Sequence, residues 1–307
     1  MTPCLPDNCH PGTPLPRPGG AFSANLRQLG RAVVDGLFPQ RCAGCQRYTG
    51  TPGRSPRELL KRIPLSPGHP PGDEPYINSW TDTILANWFC RHCRERFTWI
   101  SSPLCSTCGR MFRSRIGHDH PCPECTRRPP VFHRARACGV YAGSLKTVIQ
   151  NYKYRGRLQW ADPLGLLLYI AARMSGLLEA CDLIMPVPLH PSRLRERGFN
   201  QSYLLLRRWQ HYAAHFDPRR PLPPIDPHRL FRRHATRPQA GLPRRERQAN
   251  VRGAFGLDDP AAVVQGKQIL LVDDVFTTGA TAAACGQALV AGGHAARVSV
   301  LTLAGTR

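Results

Sequence analysis

Acidic residues and lysine are scarce in this chain. Its 307 residues include 20 Asp and Glu against 42 Lys and Arg, for a formal net charge of +22, and only four of the basic residues are lysine. Such an excess of positive charge favours anionic partners, either phosphorylated small molecules or nucleic acid. A chain rich in arginine, proline and alanine is also what a GC-rich genome produces, so composition alone leaves both explanations open.

Long apolar runs are missing as well. The longest, residues 164–178, is interrupted by Arg173 and followed by Glu179, so it predicts a core helix rather than a membrane span. The proline-rich N-terminus lacks the basic flank and apolar core of a secretion signal. The sequence therefore predicts a cytoplasmic protein with no membrane span, while the positive charge leaves a peripheral place at the inner membrane open.

The most informative stretch is ILLVDDVFTTGAT at residues 269–281. Its first four residues show no polar–apolar alternation, as expected of a strand buried on both faces of a parallel sheet. Because ligands of open α/β sheets bind beyond the carboxyl ends of the strands, the two carboxylates that follow should lie at the mouth of a crevice. A hydroxyl-rich turn then leads into a helix, where side chains and backbone N–H groups can converge on a phosphate. The residues concerned are Asp273, Asp274, Thr277, Thr278, Gly279, Ala280 and Thr281.

This pattern predicts a ribose 5-phosphate site. Two adjacent carboxylates repel a phosphate, but they accept hydrogen bonds from a vicinal diol. A nucleoside triphosphate loop is excluded because no Lys precedes Thr281, and no G-x-G-x-x-G dinucleotide fingerprint follows the strand. The alternative is an acidic strand end followed by a threonine-rich helix cap.

From residue 137 onward, short apolar strands alternate with helices. The pattern predicts strands at 137–141, 182–188, 268–275 and 297–303, and helices at 144–154, 163–178, 200–209 and 280–290. That order predicts an α/β fold with a parallel sheet and right-handed crossovers.

Thirteen cysteines in a chain without a secretion signal argue for metal binding rather than for disulfides. Eight of them form four C-x-x-C pairs: Cys42 and Cys45, Cys90 and Cys93, Cys105 and Cys108, Cys122 and Cys125. Two such pairs complete one tetrahedral site, so four pairs predict two structural zinc ions. Sequential grouping of the pairs is favoured, a crossed grouping is allowed, and redox chemistry is the weaker alternative.

Other residues near these pairs have simpler predicted roles. His118 and His120 could replace a thiolate, but we expect them to be exposed. Cys138 and Cys285 are expected to be small buried apolar residues. Before the first pair, apolar residues recur at helical intervals from Phe22 to Leu37, which predicts an amphipathic helix.

Residues 269–281 resemble the phosphoribosyl pyrophosphate (PRPP) signature of type I phosphoribosyltransferases. Two further segments make the resemblance more specific to one family: LRERGFNQS at 194–202 and RPQAGLPRRERQANVRGAF at 237–255. Together with the cysteine pairs they resemble the ComF/GntX family, bacterial proteins linked to DNA uptake and use, over roughly residues 22–307. The resemblance implies a type I phosphoribosyltransferase fold, a parallel twisted sheet flanked by helices, preceded by a small double zinc ribbon.

The expected organisation has three parts. Residues 1–21 form a disordered tail, and residues 22–128 hold the helix and the double zinc ribbon, with a Pro- and Gly-rich insertion at about 49–76. Residues 129–307 form the phosphoribosyltransferase-type domain.

The resemblance also assigns roles in PRPP binding. The two carboxylates would bind the ribose diol, residues 277–281 would anchor the 5-phosphate, and Mg²⁺ would bridge pyrophosphate and ribose oxygens. The loop at 187–191 and the arginines after it would hold the pyrophosphate, and a mobile flap at 230–255 would close over it. The residues implied are Val187, Pro188, Arg193, Arg195 and Arg197 in the loop, and Thr236, Gln239, Arg244, Arg245 and Arg247 in the flap.

Three functions remain open on the sequence. One is an active phosphoribosyltransferase of nucleobase or nucleoside metabolism with an unknown acceptor. Another is a protein of DNA uptake and utilisation that binds PRPP, contacts single-stranded DNA and meets proteins of the uptake machinery. A third uses PRPP, a related ribose phosphate or a nucleotide as a regulatory ligand. Residues 152–157 interleave tyrosine with Lys and Arg, as single-strand binding surfaces do, although such a pattern also suits packing.

Overall fold

The computed structural model describes residues 41–49, 60, 83–236, 243–258 and 263–306. The predicted tail at 1–21, the predicted amphipathic helix and nearly all of the insertion at 49–76 lie outside the described residues. Apart from Tyr48 and Thr49, the described residues belong to one compact unit.

Six strands and nine helices have defined bounds within the described ranges. The strands are β1 Arg134–Val140, β2 Leu183–Pro186, β3 Leu230–Arg232, β4 Phe255–Leu257, β5 Gln268–Phe276 and β6 Arg297–Gly305. The α-helices are α1 Arg91–Glu95, α2 Pro123–Arg127, α3 Gly143–Tyr154, α4 Ala161–Met174, α5 Pro191–Arg197, α6 Gln201–Leu206, α7 Trp209–Phe216, α8 Arg244–Val251 and α9 Ala280–Gln287. A 3₁₀ turn covers Leu158–Trp160, and a π-helical segment, Ala288–Gly292, continues α9.

The central element is a four-stranded parallel sheet in the order β1-β6-β5-β2. Leu271 in β5 lies opposite Met185 in β2 and Val300 in β6, so the motif strand is an inner strand. The predicted α/β fold with a parallel sheet is therefore confirmed. Helix α4 packs in the core on one face of the sheet and helix α9 on the other.

Strand β5 is buried on both faces, as its lack of alternation predicted. Leu270 and Val272 face the core that contains α4, whereas Ile269 and Leu271 face the core that contains α9. None of the four side chains is more than 1% exposed. Burying each aliphatic side chain of this size contributes about 1.5 to 3 kcal/mol, which anchors the strand that carries the carboxylates.

Helix α5 was not predicted, because its sequence has no apolar periodicity and none of its residues is buried. Its ends explain why it forms. Pro191 occupies the first turn, where its missing N–H costs nothing, and the His190 side chain accepts a hydrogen bond from the Ser192 N–H. Gly198 ends the helix with a φ of 80°, a left-handed conformation that suits glycine.

Two other predicted helices differ in their bounds. The helix predicted at 200–209 is divided into α6 and α7, and Arg207 and Arg208 at the break both contact the Asp162 carboxylate at 2.7 Å. The helix predicted at 163–178 is α4, which ends at Met174.

The cysteine-containing segments contact the sheet at its β1 edge. Residues 98–100 run antiparallel to β1, with hydrogen bonds from the Val140 N–H to the Thr98 carbonyl and from the Ile100 N–H to the Cys138 carbonyl. The Ala135 N–H donates to the Thr107 carbonyl at 2.7 Å. We call residues 41–47 and 90–128 the ribbon; its backbone is thus hydrogen-bonded to the β1 edge of the sheet.

Candidate functional site

A crevice of about 490 Å³ lies beyond the carboxyl ends of β2 and β5. Parallel strands place their carboxyl ends at one edge of the sheet, so the loops after β2 and β5 meet there. Its walls come from α3, the loop after β2, α5, α6, the segment after β3 and the turn after β5. The predicted residues Asp273, Asp274, Thr277, Thr281, Val187, Pro188, Arg197 and Thr236 all line it.

Asp274 lies deep in this crevice and is paired with a lysine. Its side chain is 3% exposed, and its Oδ1 lies 2.7 Å from the Nζ of Lys153, which is 17% exposed. Its other oxygen, Oδ2, is buried without a hydrogen-bond partner among the described residues. Burial lowers the pKa of Lys153, but the carboxylates of Asp274 and Asp273 outweigh it and raise that pKa overall, so the lysine stays charged. The second oxygen is available to a hydroxyl donor on a ligand.

Asp273 is less buried and has different partners. Because side chains alternate along a strand, it projects from the opposite face of β5. Its Oδ1 accepts hydrogen bonds from the Ser202 hydroxyl at 3.0 Å and from the Asp274 N–H at 2.9 Å. Burial, and then the neighbouring Asp274 carboxylate, raise the pKa of Asp273 to about 7. A carboxylate with such a pKa is a diol acceptor whose charge depends on pH near neutrality.

The turn after β5 has the backbone that phosphate binding requires. Gly279 has a φ of 73°, and a Cβ there would lie 2.8 Å from the Phe276 ring, so that position needs glycine. Gly279 is the N-cap of α9, which starts at Ala280 and directs its first N–H groups toward the turn. The Thr277 carbonyl accepts a hydrogen bond from the Thr306 hydroxyl, which fixes the turn against the end of β6.

Arginines supply positive charge opposite the carboxylates. Arg193 and Arg197 are four residues apart on α5, so they share one face of the helix and both line the crevice. Arg195 projects from another face and is exposed, outside the crevice lining. The structure therefore brings Arg197 to the site as predicted, whereas Arg193, not Arg195, lies beside it.

The predicted flap at 230–255 begins and ends in a small antiparallel sheet. Strand β3 pairs with β4, Leu230 facing Leu257, and helix α8 lies between them. Thr236 lines the crevice, Gln239 lies outside the described residues, and only the backbone of Arg244, Arg245 and Arg247 is described. The base of the flap is thus placed beside the crevice.

Arg232 and Lys153 are two of the crevice residues that were not predicted as ligand contacts. Arg232 in β3 lies over the Phe255 ring at 5.3 Å, bonds Thr236, and has its Nε buried without a partner in the described structure. Burial lowers its pKa, although guanidinium remains charged. Lys153 was noticed only within a basic, aromatic stretch. Arg232 carries no local sequence signal for a site, and the pairing of Lys153 with Asp274 arises only through the fold.

The eight paired cysteines form two quartets. One contains Cys42, Cys45, Cys90 and Cys93, the other Cys105, Cys108, Cys122 and Cys125, and in each the four sulfur atoms lie within 4.8 Å of one another. This is the favoured sequential grouping. His118 and His120 are exposed and belong to neither quartet, and Cys138 and Cys285 are buried in β1 and α9, as predicted.

The quartets fit zinc. A tetrahedron with Zn–S bonds of about 2.3 Å places its sulfurs about 3.8 Å apart. The Sγ atoms of Cys45 and Cys90 are 3.7 Å apart, and those of Cys108 and Cys122 are 4.0 Å apart. Each quartet could therefore hold one ion.

Backbone N–H groups around one thiol of each quartet support the thiolate form. The Cys105 Sγ accepts from the N–H groups of Cys108 and Cys122, at 3.4 and 3.2 Å. Burial raises the pKa of Cys105, but these backbone bonds outweigh it and lower that pKa to about 6. In each quartet, the residue that follows the first C-x-x-C pair has a positive φ, 65° at Gln46 and 71° at Gly109. This conformation closes the turn around the sulfur atoms.

The fold and the site define a class. The described chain is an α/β protein with a parallel sheet of the type I phosphoribosyltransferase kind and two cysteine quartets consistent with zinc ribbons. None of its described helices has the combination of length and apolar character that crossing a bilayer would need. No family model matches the sequence.

Similar proteins identify the family. The DNA utilization protein YhgH of Escherichia coli K12 is 36% identical over 221 residues, which cover 69% of this chain and 88% of that protein. Competence protein F of Haemophilus influenzae is 31% identical over 64% of this chain and 87% of its own length. Competence protein ComFC of Bacillus subtilis is 25% identical over 70% and 82%. The chain belongs to the ComF family.

Proposed function

We propose that this protein binds PRPP, or a related ribose phosphate, in the crevice and acts in the cytoplasm in the uptake or utilisation of DNA. The observation that carries the ligand is the arrangement around β5. Asp273 and the partnerless oxygen of Asp274 can accept a diol, and Thr277 and Thr281 of the turn after β5 line the crevice, where their hydroxyls can reach a phosphate. Arg193, Arg197 and Arg232 give the opposite wall the positive charge that a pyrophosphate needs.

Magnesium suits this ligand. Mg²⁺ prefers oxygen ligands and is usually held by one or two carboxylates together with substrate phosphates. Asp273 and Asp274 are the carboxylates that line the crevice. The ion would neutralise pyrophosphate charge, while the two carboxylates position the sugar.

Single-stranded DNA is the proposed macromolecular partner, and the ribbon its contact surface. The relatives are named for DNA utilization and competence. Residues 83–128 contain eight arginines and only three carboxylates. Among these arginines Arg91, Arg96, Arg113 and Arg127 are exposed. We expect proteins of the DNA-uptake machinery to bind this protein in its complex with single-stranded DNA.

Calorimetry with PRPP and Mg²⁺ tests the ligand. Wild type should give saturable binding, and Asp273→Asn, which keeps the shape of the side chain but removes its charge, should weaken it at least tenfold at pH 8. Asp258→Asn makes the same chemical change at an exposed carboxylate outside the crevice and should bind like wild type. Equal heats for wild type and Asp273→Asn would sink the proposal. Pyrophosphate release with a nucleobase added would show turnover as well as binding.

Fluorescence anisotropy with a labelled oligothymidine tests the DNA contact. Binding to phosphates releases counterions, so affinity should fall steeply between 50 and 200 mM salt. Arg113→Gln in the ribbon should weaken binding about two- to threefold, whereas Arg219→Gln, an equally exposed arginine after α7, should not. Absence of binding at low salt, or equal effects of the two substitutions, would count against the ribbon as the contact surface.

A further inference from the structure

A second cavity, of about 390 Å³, lies between the second cysteine quartet and the turn after β5. Its walls are α2 and the segment that follows it, the start of β1, and residues 276–280. Thr277 borders this cavity and the crevice alike, whereas Asp273, Asp274 and the arginines of α5 do not reach it. The volume is within the range of about 300 to 1,000 Å³ typical of small-molecule sites and is far more than one metal ion needs.

Three arginines along this cavity can donate to an anion. Arg110, Arg128 and Arg136 border it, together with Glu124 and with Cys108, Cys122 and Cys125 of the second quartet, whose thiolates exceed the charge of one divalent ion. Arg110 lies 3.9 Å from Glu124 and Arg136 interacts with the thiolates of the quartet, so Arg128 is the arginine best placed to meet an anion. The Nη1 of Arg136 donates to the Ser106 and Ala135 carbonyls, so the guanidinium is held in place beside the cavity. Its pKa, lowered by burial and by Arg134 to about 10, still leaves it protonated at neutral pH.

The other wall of the cavity is apolar and partly uncovered. Pro129, Pro130 and Val131 follow α2, and Val131 is 43% exposed, which is unusual for a valine beside a cavity. Phe132 and Phe276 pack edge to face, with ring centroids 5.7 Å apart, and form the floor. An occupant that covers this wall needs a flat apolar part as well as an anionic one.

We propose that this cavity is a second ligand site, which takes a nucleoside monophosphate unit with its phosphate toward the arginines and its base against the proline–valine wall. Such a unit combines one anionic group with one aromatic ring system, as the two walls require. The same chemistry is available from a free mononucleotide and from the 5′-phosphorylated end of a single strand. Thr278, on the cavity side of the turn, supplies a hydroxyl near the sugar.

Binding of thymidine 5′-monophosphate and of a 5′-phosphorylated oligothymidine to the zinc-loaded full chain tests the site. Arg128→Ala should weaken mononucleotide binding at least fivefold. The adjacent Arg127→Ala should leave it unchanged, because Arg127 is exposed but does not line the cavity. Ala283→Trp, which fills the cavity from α9, should abolish binding. Saturating PRPP and Mg²⁺, which occupy the crevice, should not displace the mononucleotide.

Each outcome of this experiment either supports or refutes the second ligand site. The expected pattern with the mononucleotide supports a free ligand, and the same pattern with the oligothymidine, lost when its 5′-phosphate is removed, supports a strand end. The site is refuted if neither probe binds at millimolar concentration, if Arg127→Ala and Arg128→Ala act alike, or if PRPP displaces the mononucleotide, which would place the ligand in the crevice. Because Ala283→Trp changes a residue of α9, PRPP binding by that variant is its control, and the comparison of Arg127→Ala with Arg128→Ala does not depend on it.

Discussion

The ribbon and the crevice are organised in opposite ways. In the ribbon the chemistry is local: each C-x-x-C pair sets two sulfurs within reach of one another, and the next pair completes the quartet. In the crevice the contacts join distant residues, such as Lys153 with Asp274 and Ser202 with Asp273. The difference teaches that spacing along the chain can specify a metal site, whereas an ion pair across a sheet edge depends on the whole fold.

The largest expected effect comes from breaking the ribbon. Cys105→Ser, or removal of metal by a chelator, should cost well over about 5 kcal/mol of unfolding free energy, because structural metal binding is coupled to folding. The loss should include the sheet, since Thr107 and residues 98–100 bond to β1. Thermal unfolding followed by circular dichroism checks this, with Cys181→Ser, a half-buried thiol outside both quartets, as the control. An α/β half that melts unchanged after chelation would show that the predicted boundary near residue 128 separates two independent domains.

Breaking the crevice ion pair should have the next largest effect. Lys153→Met leaves the Asp274 carboxylate buried and unpaired, which should cost about 3 kcal/mol. Urea unfolding of the single and double variants measures this. Adding Asp274→Asn should recover most of the loss, because no buried charge then remains. Glu95→Gln, which breaks the exposed Arg91–Glu95 pair, should change stability by less than about 0.5 kcal/mol. A loss that the double variant does not recover would contradict the pairing.

The titration of Asp273 should be the third largest effect. Its folded-state pKa is raised from 3.8 to about 7, so the folded state holds the proton more tightly than the unfolded state does. The stability of wild type relative to Asp273→Asn should therefore fall as pH rises from about 4 to about 7 and then level off. Over the same range, binding of ribose 5-phosphate should strengthen more than binding of inorganic phosphate, because only the sugar needs the ionised carboxylate. A stability difference that does not vary with pH would refute the raised pKa.

The smallest effect compares two arginines of one short helix. Arg193→Ala should weaken PRPP binding about tenfold, equivalent to about 1.4 kcal/mol, because this side chain lines the crevice. Arg195→Ala should leave the affinity within about twofold of wild type. Calorimetry at constant salt provides the measurement. If Arg195→Ala has the larger effect, α5 must rotate or unwind when the ligand binds.

Much of the fold was predictable because it depends on local patterns. The unbroken apolar run at 269–272 predicted a strand buried on both faces, and residues Ile269 to Val272 are at most 1% exposed. Helix α5 was missed because an exposed helix of seven residues has no apolar face; its caps, His190 and Gly198, stabilise it instead. The small antiparallel sheet of the predicted flap was missed because β3 and β4 have three residues each, too few for a recognisable alternation.

The sequence by itself determined the strand that ends in two carboxylates, the glycine turn after it and the four C-x-x-C pairs, since each depends on residues within a few positions of one another. Only the tertiary structure decided that Lys153 neutralises Asp274, that Arg193 rather than Arg195 lines the crevice, and that a second cavity lies behind the threonine turn. The physical reason is that electrostatic contacts and cavities depend on distances through space. Those distances are set where helices and strands far apart in the chain pack together.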